Sequence, residues 1–451
     1  MIPTASLNSS SLRRNPFNRI QYGSITTLLL LFSCFIIIAQ TATAQTDSIP
    51  VFKDAIAANR TKTYNNIVRN IITKNLSLPL TDSTGENWQD AFYAMEVLLY
   101  KQPWTEQKIR TAFDGIEKRS AGFQRALLEC TYALYPQSFT GPVEKLWLKT
   151  GYSKIFALCA EYLYQAEKIS AQNIRTRTRE YNFSLEQDSI LNPLVKSKWS
   201  IDDKARKAAL KAVCEKTFLP GNVVLISFQR RNRNYPGMVV VRDTAGNFIK
   251  EGSGNPFAIT QLARSVSNLP FYLTNGNTPQ GIFRMFGFDI SKSKAIGPTT
   301  NIQLTMPCET SPQFFLKDSL LTDTIWNELL YKKLLPESLK NFLPLSQTYY
   351  ASKAGRTEII AHGTTVDPSY YNGAIYYPYT PTQGCLCTKE IWSDADGKRT
   401  ISDQQQLVNA VKKAGGANGY CVVIEIDDEQ KPVSIEDILP FIKTENSRTK
   451  K

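Results

Sequence analysis

Phe218-Leu219-Pro220-Gly221-Asn222-Val223-Val224-Leu225-Ile226-Ser227-Phe228 is the stretch at which the chain changes character. Before it, apolar residues recur every three to four positions. After it, short runs of β-branched and aromatic residues are punctuated by Gly, Asn and Pro. The first period is that of a helix with one buried face and the second that of strands. Leu219-Pro220-Gly221 stops a helix and opens a turn, and Asn222–Phe228 reads as the first strand. The chain therefore divides at about residue 219 into an all-α N-terminal helical domain and a β-rich (α+β) domain, a multidomain fold.

Working back towards the N-terminus, Trp88, Ala91, Phe92, Met95, Leu98 and Leu99 keep helical spacing. So do Ile109, Phe113 and Ile116, then Phe123, Leu127, Leu128, Cys130 and Leu134, then Ile155, Phe156, Cys159, Tyr162 and Leu163. Thr105 and Ser120 read as helix starts, and Tyr135-Pro136 and Gly141-Pro142 as stops. Ile201–Phe218 reads as one more amphipathic helix. No clean internal repeat supports a solenoid over a bundle.

Working forward, Met238–Arg242, Phe248, Phe271–Leu273, Gly281–Phe288, Ile302–Thr305, Glu358–Ala361 and Tyr420–Ile426 read as strands. Ile325–Leu334 and Gln404–Lys413 read as helices between them. The residues from Lys443 to 451 form a polar tail.

The amino terminus sets the compartment. Arg13, Arg14 and Arg19 form a basic front, Leu28–Ala39 an apolar run, and Ala42-Thr43-Ala44 the small residues of a cleavage site. Residues 1–44 therefore read as a signal peptide, leaving a helical domain over 45–218. The 12-residue apolar run is short of the roughly 20 needed to span a bilayer, and no later segment is apolar enough, so no stable membrane span is expected after cleavage. The chain is read as exported, to the periplasm or cell envelope. Its net charge of +13 falls by three to +10 without the signal, and such a protein is drawn to anionic envelope polymers. No nucleic-acid motif is present.

Of 451 residues only one, His362, is histidine. Zinc sites built on several histidines and His–His acid/base pairs are thereby excluded. Seven cysteines follow the signal: Cys130, Cys159, Cys214, Cys308, Cys385, Cys387 and Cys421. An odd number leaves at least one thiol unpaired in an oxidising compartment. The first three, in apolar contexts, read as packing residues.

A short apolar run, Ile359-Ile360-Ala361, delivers His362-Gly363-Thr364. A Tyr-rich loop then leads to Thr382-Gln383-Gly384-Cys385-Leu386-Cys387. Thiol catalysis needs a thiolate and a group to take its proton, and a His and a Cys at the two ends of one loop can meet across it. The amides near Gly384 and Cys385 are candidate oxyanion donors.

These residues resemble the L,D-transpeptidase catalytic domain, the YkuD-like family, whose pattern is His-Gly, a loop, then Ser/Thr-x-Gly-Cys. Thr278-Pro279-Gln280-Gly281 resembles its Thr-Pro-x-Gly strand entry, and Leu407–Lys413 with Tyr420–Ile424 its closing helix and strand. The resemblance covers roughly Asn222–Ile426, and 219–442 is read as an L,D-transpeptidase-like catalytic domain. It implies Cys385 as nucleophile on peptidoglycan stem peptides and His362 as general base, its second nitrogen oriented by a backbone carbonyl such as that of Gly363. Gly384, Gly363 and Thr382 would support the site, and the mechanism it implies needs no metal or cofactor. The family often has Arg two residues after the nucleophile, where this chain has Cys387; Lys389 and Arg399 are the candidates to replace it in substrate binding. The 23 residues from His362 to Cys385 (385 − 362) exceed the usual spacing by the stretch Tyr370–Tyr379, and Tyr379 is a further candidate substrate contact.

Two other readings stand beside this one. Cys308 precedes His362 in an order compatible with an NlpC-like cell-wall cysteine peptidase. A non-catalytic secreted wall-binding protein with a lapsed site would leave His362 and Cys385 too far apart to hydrogen-bond, or Cys385 in a disulfide. The helical domain carries no recognisable chemistry; its expected role is to position the catalytic domain or to bind a protein partner.

Overall fold

Residues 49–181, 188–198, 201–252 and 254–442 are described in the computed structural model. The segment read as a signal peptide, 1–44, and the polar tail 443–451 lie outside them. No helix among the described residues is long and apolar enough to cross a membrane.

The N-terminal half is helical: α1 (Ala57–Asn66), α2 (Lys74–Ser77), α3 (Gly85–Leu98), α4 (Pro103–Phe113), α5 (Ala121–Leu134), α6 (Thr140–Lys149), α7 (Ser153–Gln165), α8 (Ala171–Tyr181), α9 (Leu191–Lys196) and α10 (Asp203–Cys214). The apolar stripe of α3, Trp88, Ala91, Phe92 and Met95, is buried and meets Phe123 of α5 with ring centroids 5.6 Å from Phe92. Ser120 caps α5, its Oγ accepting from the Phe123 N–H at 3.2 Å. Two helix signals read from the sequence are corrected. α4 starts at Pro103, and Thr105 lies within its first turn, accepting from the Gln102 N–H at 3.0 Å. Gly141-Pro142 falls in the first turn of α6 instead of ending a helix. Proline is tolerated there because the first N–H groups of a helix have no intrahelical acceptor.

The C-terminal half holds an eight-stranded closed barrel in the order β1-β10-β4-β5-β6-β7-β3-β2, with a separate pair β8-β9. The strands are β1 (Val224–Arg230), β2 (Gly237–Arg242), β3 (Ala258–Leu262), β4 (Gly281–Asp289), β5 (Asn301–Thr305), β6 (Ala361–His362), β7 (Leu386–Thr388), β8 (Glu390–Trp392), β9 (Arg399–Ser402) and β10 (Asn418–Asp427). Five helices accompany them: α11 (Pro312–Leu316), α12 (Glu328–Lys332), α13 (Gln347–Lys353), α14 (Asp403–Ala414) and α15 (Ile435–Ile442).

The deciding stretch is buried on both faces. Leu225 packs in one cluster with Cys421, Val423 and the α14 residues Leu407, Val408 and Val411. Its neighbours Val224, Ile226 and Phe228 pack in another with Tyr420, Val422 and Ile424. Strands covered on both sides read as unbroken apolar runs, and β1 and β10 pair in parallel, as such runs commonly do.

Three expectations shift. α10, placed by its period in the helical half, buries Ala209, Leu210 and Val213 in the cluster of β1 and β10, so the packing boundary precedes residue 203 rather than falling at 219. Phe271–Leu273 is a turn and not a strand; Leu269, Tyr272 and Leu273 join the core of the helical half. The run before His362 yields only the two-residue β6. The two halves thus exchange elements across their boundary.

Candidate active site

The sheet register decides where the catalytic candidates stand. β6 and β7 run in parallel with Ala361 opposite Leu386 and His362 opposite Cys387. Cys385, one residue before Leu386, therefore falls beside Ile360, whose N–H points at its Sγ at 3.5 Å. The thiol in turn donates to the Glu358 carbonyl at 3.5 Å. Cys385 is partly exposed, and all seven described cysteines are free thiols. Cys130, Cys159 and Cys214 are buried packing residues, as their contexts predict.

His362 is buried, 4 % exposed. Its Nδ1 lies 2.6 Å from the Gly363 carbonyl oxygen. A carbonyl oxygen only accepts, so Nδ1 carries the proton and Nε2 is the basic nitrogen. Burial holds the imidazole below its ordinary value, so the ring is neutral. Among the described hydrogen bonds none joins His362 to Cys385.

Thr382 builds the turn before the nucleophile. Its Oγ1 accepts from the Gly384 N–H at 3.1 Å and donates to the Cys385 carbonyl at 2.9 Å. The Gly384 amide is thus already engaged inside the turn, whereas the Cys385 N–H has no acceptor among the described hydrogen bonds. Thr278, the head of the Thr-Pro-x-Gly element, donates from Oγ1 to the Gly384 carbonyl at 2.8 Å. Gly384 has φ +111, a conformation that needs glycine. Gly363 lies so close to Glu390 that a Cβ there would overlap its carboxyl group.

The candidate substrate residues have partners of their own. Arg399 donates to Thr299 Oγ1 at 2.9 Å and lies 4.0 Å from the Glu390 carboxylate. Lys389, half-buried between β7 and β8, faces Asp403. Tyr379 packs with Leu262, Tyr371 and Tyr376. No described hydrogen bond or ion pair joins any of the three to Cys385 or His362. Cys308 sits on a single 3₁₀ turn, its N–H bonded to Ser352 Oγ at 3.2 Å, and His362 is not among its described partners.

Two residues carried no sequence signal. Arg356, 6 % exposed, lies in the loop between α13 and β6 and is the cation facing Cys385. Glu390 is 2 % exposed, and burial pushes its carboxyl up to about 7 against the pull of Ser402, Thr299 and Arg399. Both are single charged residues in unremarkable local sequence, and only the fold brings them to the site.

Burial also pushes the Cys385 thiol up to about 11; the Ile360 N–H and Arg356 oppose this, and Glu358 and Glu309 add to it. Such a thiol is protonated at neutral pH, so nucleophilic attack requires a base. Among the described residues no cluster of metal-ligating side chains is present. Comparison of the chain with family models, curated proteins and solved structures finds no match.

Proposed function

We propose that residues 219–442 form an L,D-transpeptidase-like domain that transfers acyl groups of peptidoglycan stem peptides through a Cys385 thioester. The observation that carries this reading is the His362 ring: Nδ1 is fixed on Gly363, so Nε2 is the free base, two register positions from the free thiol. On this reading the thiol leaves the Glu358 carbonyl when substrate binds, and catalytic hydrogen bonds commonly tighten only in the substrate complex. Cys385 Sγ attacks the carbonyl carbon of meso-diaminopimelate while His362 takes the thiol proton. The C–N bond to D-alanine breaks, and the amine departs with that proton. An amine of a second stem then attacks the thioester carbonyl, the C–S bond breaks, and the amine's proton passes by way of His362 to the released Cys385 sulfur, which gives a 3–3 crosslink; water in its place gives carboxypeptidase action. The exported, envelope location belongs to the same proposal.

A second reading, the lapsed secreted wall-binding protein, is favoured by one observation: the thiol bonds to Glu358 rather than His362. The two are separated by incubating the protein with a carbapenem and recording its intact mass beside Cys385→Ala. An adduct on the wild type alone supports the enzyme; no adduct on either, with Cys385 still titrating as a free thiol, supports the binding protein.

A further inference from the structure

Arg356 is the most heavily engaged charged side chain near the nucleophile. Nη1 donates to the Asn277 carbonyl at 2.7 Å and to that of Phe271, and Nη2 to the Gly276 carbonyl at 2.7 Å. A Cβ on Gly384 would overlap Nη2 and would lie 2.5 Å from the Gly276 oxygen. The guanidinium is thus clamped between the 271–277 loop and the backbone that enters Cys385. It is a planar fork of donors, which suits three converging carbonyls as a lysine does not. The charged groups that act on the sulfur are Arg356, Glu358 and Glu309, with Cys387 two residues further along the chain. Arg356 is the one cation among them.

We propose that Arg356 is the positioning residue of the nucleophile: it fixes the Gly384 turn against the 271–277 loop and supplies the positive charge that favours the Cys385 thiolate and its acyl-transfer chemistry. The acyl-transfer part rests on the transpeptidase reading; the charge and positioning part does not.

The test is the rate at which iodoacetamide alkylates Cys385 in the full-length chain, followed by peptide mass against pH. Cys308, also partly exposed and without Arg356 among the groups that set its acidity, is the internal control. Arg356→Gln is expected to slow alkylation of Cys385 at pH 8 by about threefold to tenfold, the change that half to one pH unit of thiol acidity produces, with Cys308 unchanged. Arg356→Lys is expected to recover most of that loss. Wild-type rates and pH midpoint in Arg356→Gln overturn the proposal. So does faster reaction of both cysteines, which marks simple loosening. Should Arg356→Gln fail to fold by circular dichroism, Glu358→Gln decides: removing this opposing charge is expected to speed Cys385 and leave Cys308 unchanged, and an unchanged Cys385 overturns the proposal. Alkylation needs no substrate. Loss of the carbapenem adduct with these shifts intact defeats the transpeptidase reading alone.

Discussion

Tyr272, from the β-rich half, donates its hydroxyl proton to Glu161 of α7 at 2.6 Å inside the core of the helical half. Lys198 pairs with the same carboxylate at 2.5 Å. In the same loop, the carbonyls of Phe271, Gly276 and Asn277 hold Arg356. The helical core is therefore joined through one short loop to the turn that presents Cys385. Tyr93 of α3 makes a second link, accepting from the Gln383 side chain.

Tyr272→Phe leaves a buried, charged acceptor short of one donor. The expected cost is about 1–3 kcal/mol, read from urea denaturation of the full chain. Because the loop is shared, helical and barrel signals are expected to lose stability together; a shift confined to one half would contradict the coupling.

A chain beginning at Leu219 lacks α10, whose Ala209, Leu210 and Val213 cover the β1–β10 pair, and exposes Leu269, Tyr272 and Leu273. Each of these large apolar side chains is worth about 1.5–3 kcal/mol when fully buried. The fragment is expected to be insoluble or molten, as judged by near-ultraviolet circular dichroism and dye binding. A soluble, cooperatively folded fragment would show that the halves are independent.

Gly384→Ala places a Cβ at φ +111 and against Arg356. The backbone strain alone costs about 1–3 kcal/mol. A lower thermal midpoint and slower carbapenem acylation are expected together, since the same turn sets both.

Glu390 gives the stability a pH dependence. Its carboxyl titrates near 7 in the fold and near 4.3 in an unfolded chain. The folded state binds this proton more tightly, so the contribution is fully present below the unfolded value and is lost as pH rises through about 7. The span corresponds to roughly 4 kcal/mol as an upper bound. Urea midpoints are expected to fall between pH 5 and pH 8, and Glu390→Gln to flatten that fall.

His362→Ala is expected to slow carbapenem acylation by about 10²–10⁴-fold, the usual worth of a positioned general base. The neutral ring persists below its ordinary value of 6.5 because burial disfavours the charged form. The acid limb of the wild-type rate profile is therefore expected below pH 6.5, and absent from the variant.

Much of this was legible in the residues. β1 and β10 were legible as strands in Asn222–Phe228 and Tyr420–Ile426; that they pair and are covered on both faces came from the fold. The Ser120 cap and α14 followed from local signals. The orienting of His362 by Gly363 was expected from the family resemblance alone, and the 2.6 Å contact agrees with it. Phe271–Leu273 misled because an aromatic triplet has the same composition in a strand as in a turn driven into another core. β3 and β7 escaped notice because Ala258–Leu262 and Leu386–Thr388 are too short to show a period.

The sequence by itself determined the switch from helical to strand period, the single histidine, and the Thr-x-Gly-Cys turn that Thr382 and Gly384 close, since these are properties of neighbouring residues. Only the tertiary structure decided which charge faces Cys385, that Arg399 meets Thr299 and Glu390, and that Tyr272 belongs to the helical core. Arg356 and Cys385 are 29 residues apart in the chain (385 − 356), and Tyr272 and Glu161 are 111 apart. Contacts at such separations are chosen by which buried surfaces and carbonyls converge after folding, and local pattern carries no record of that choice.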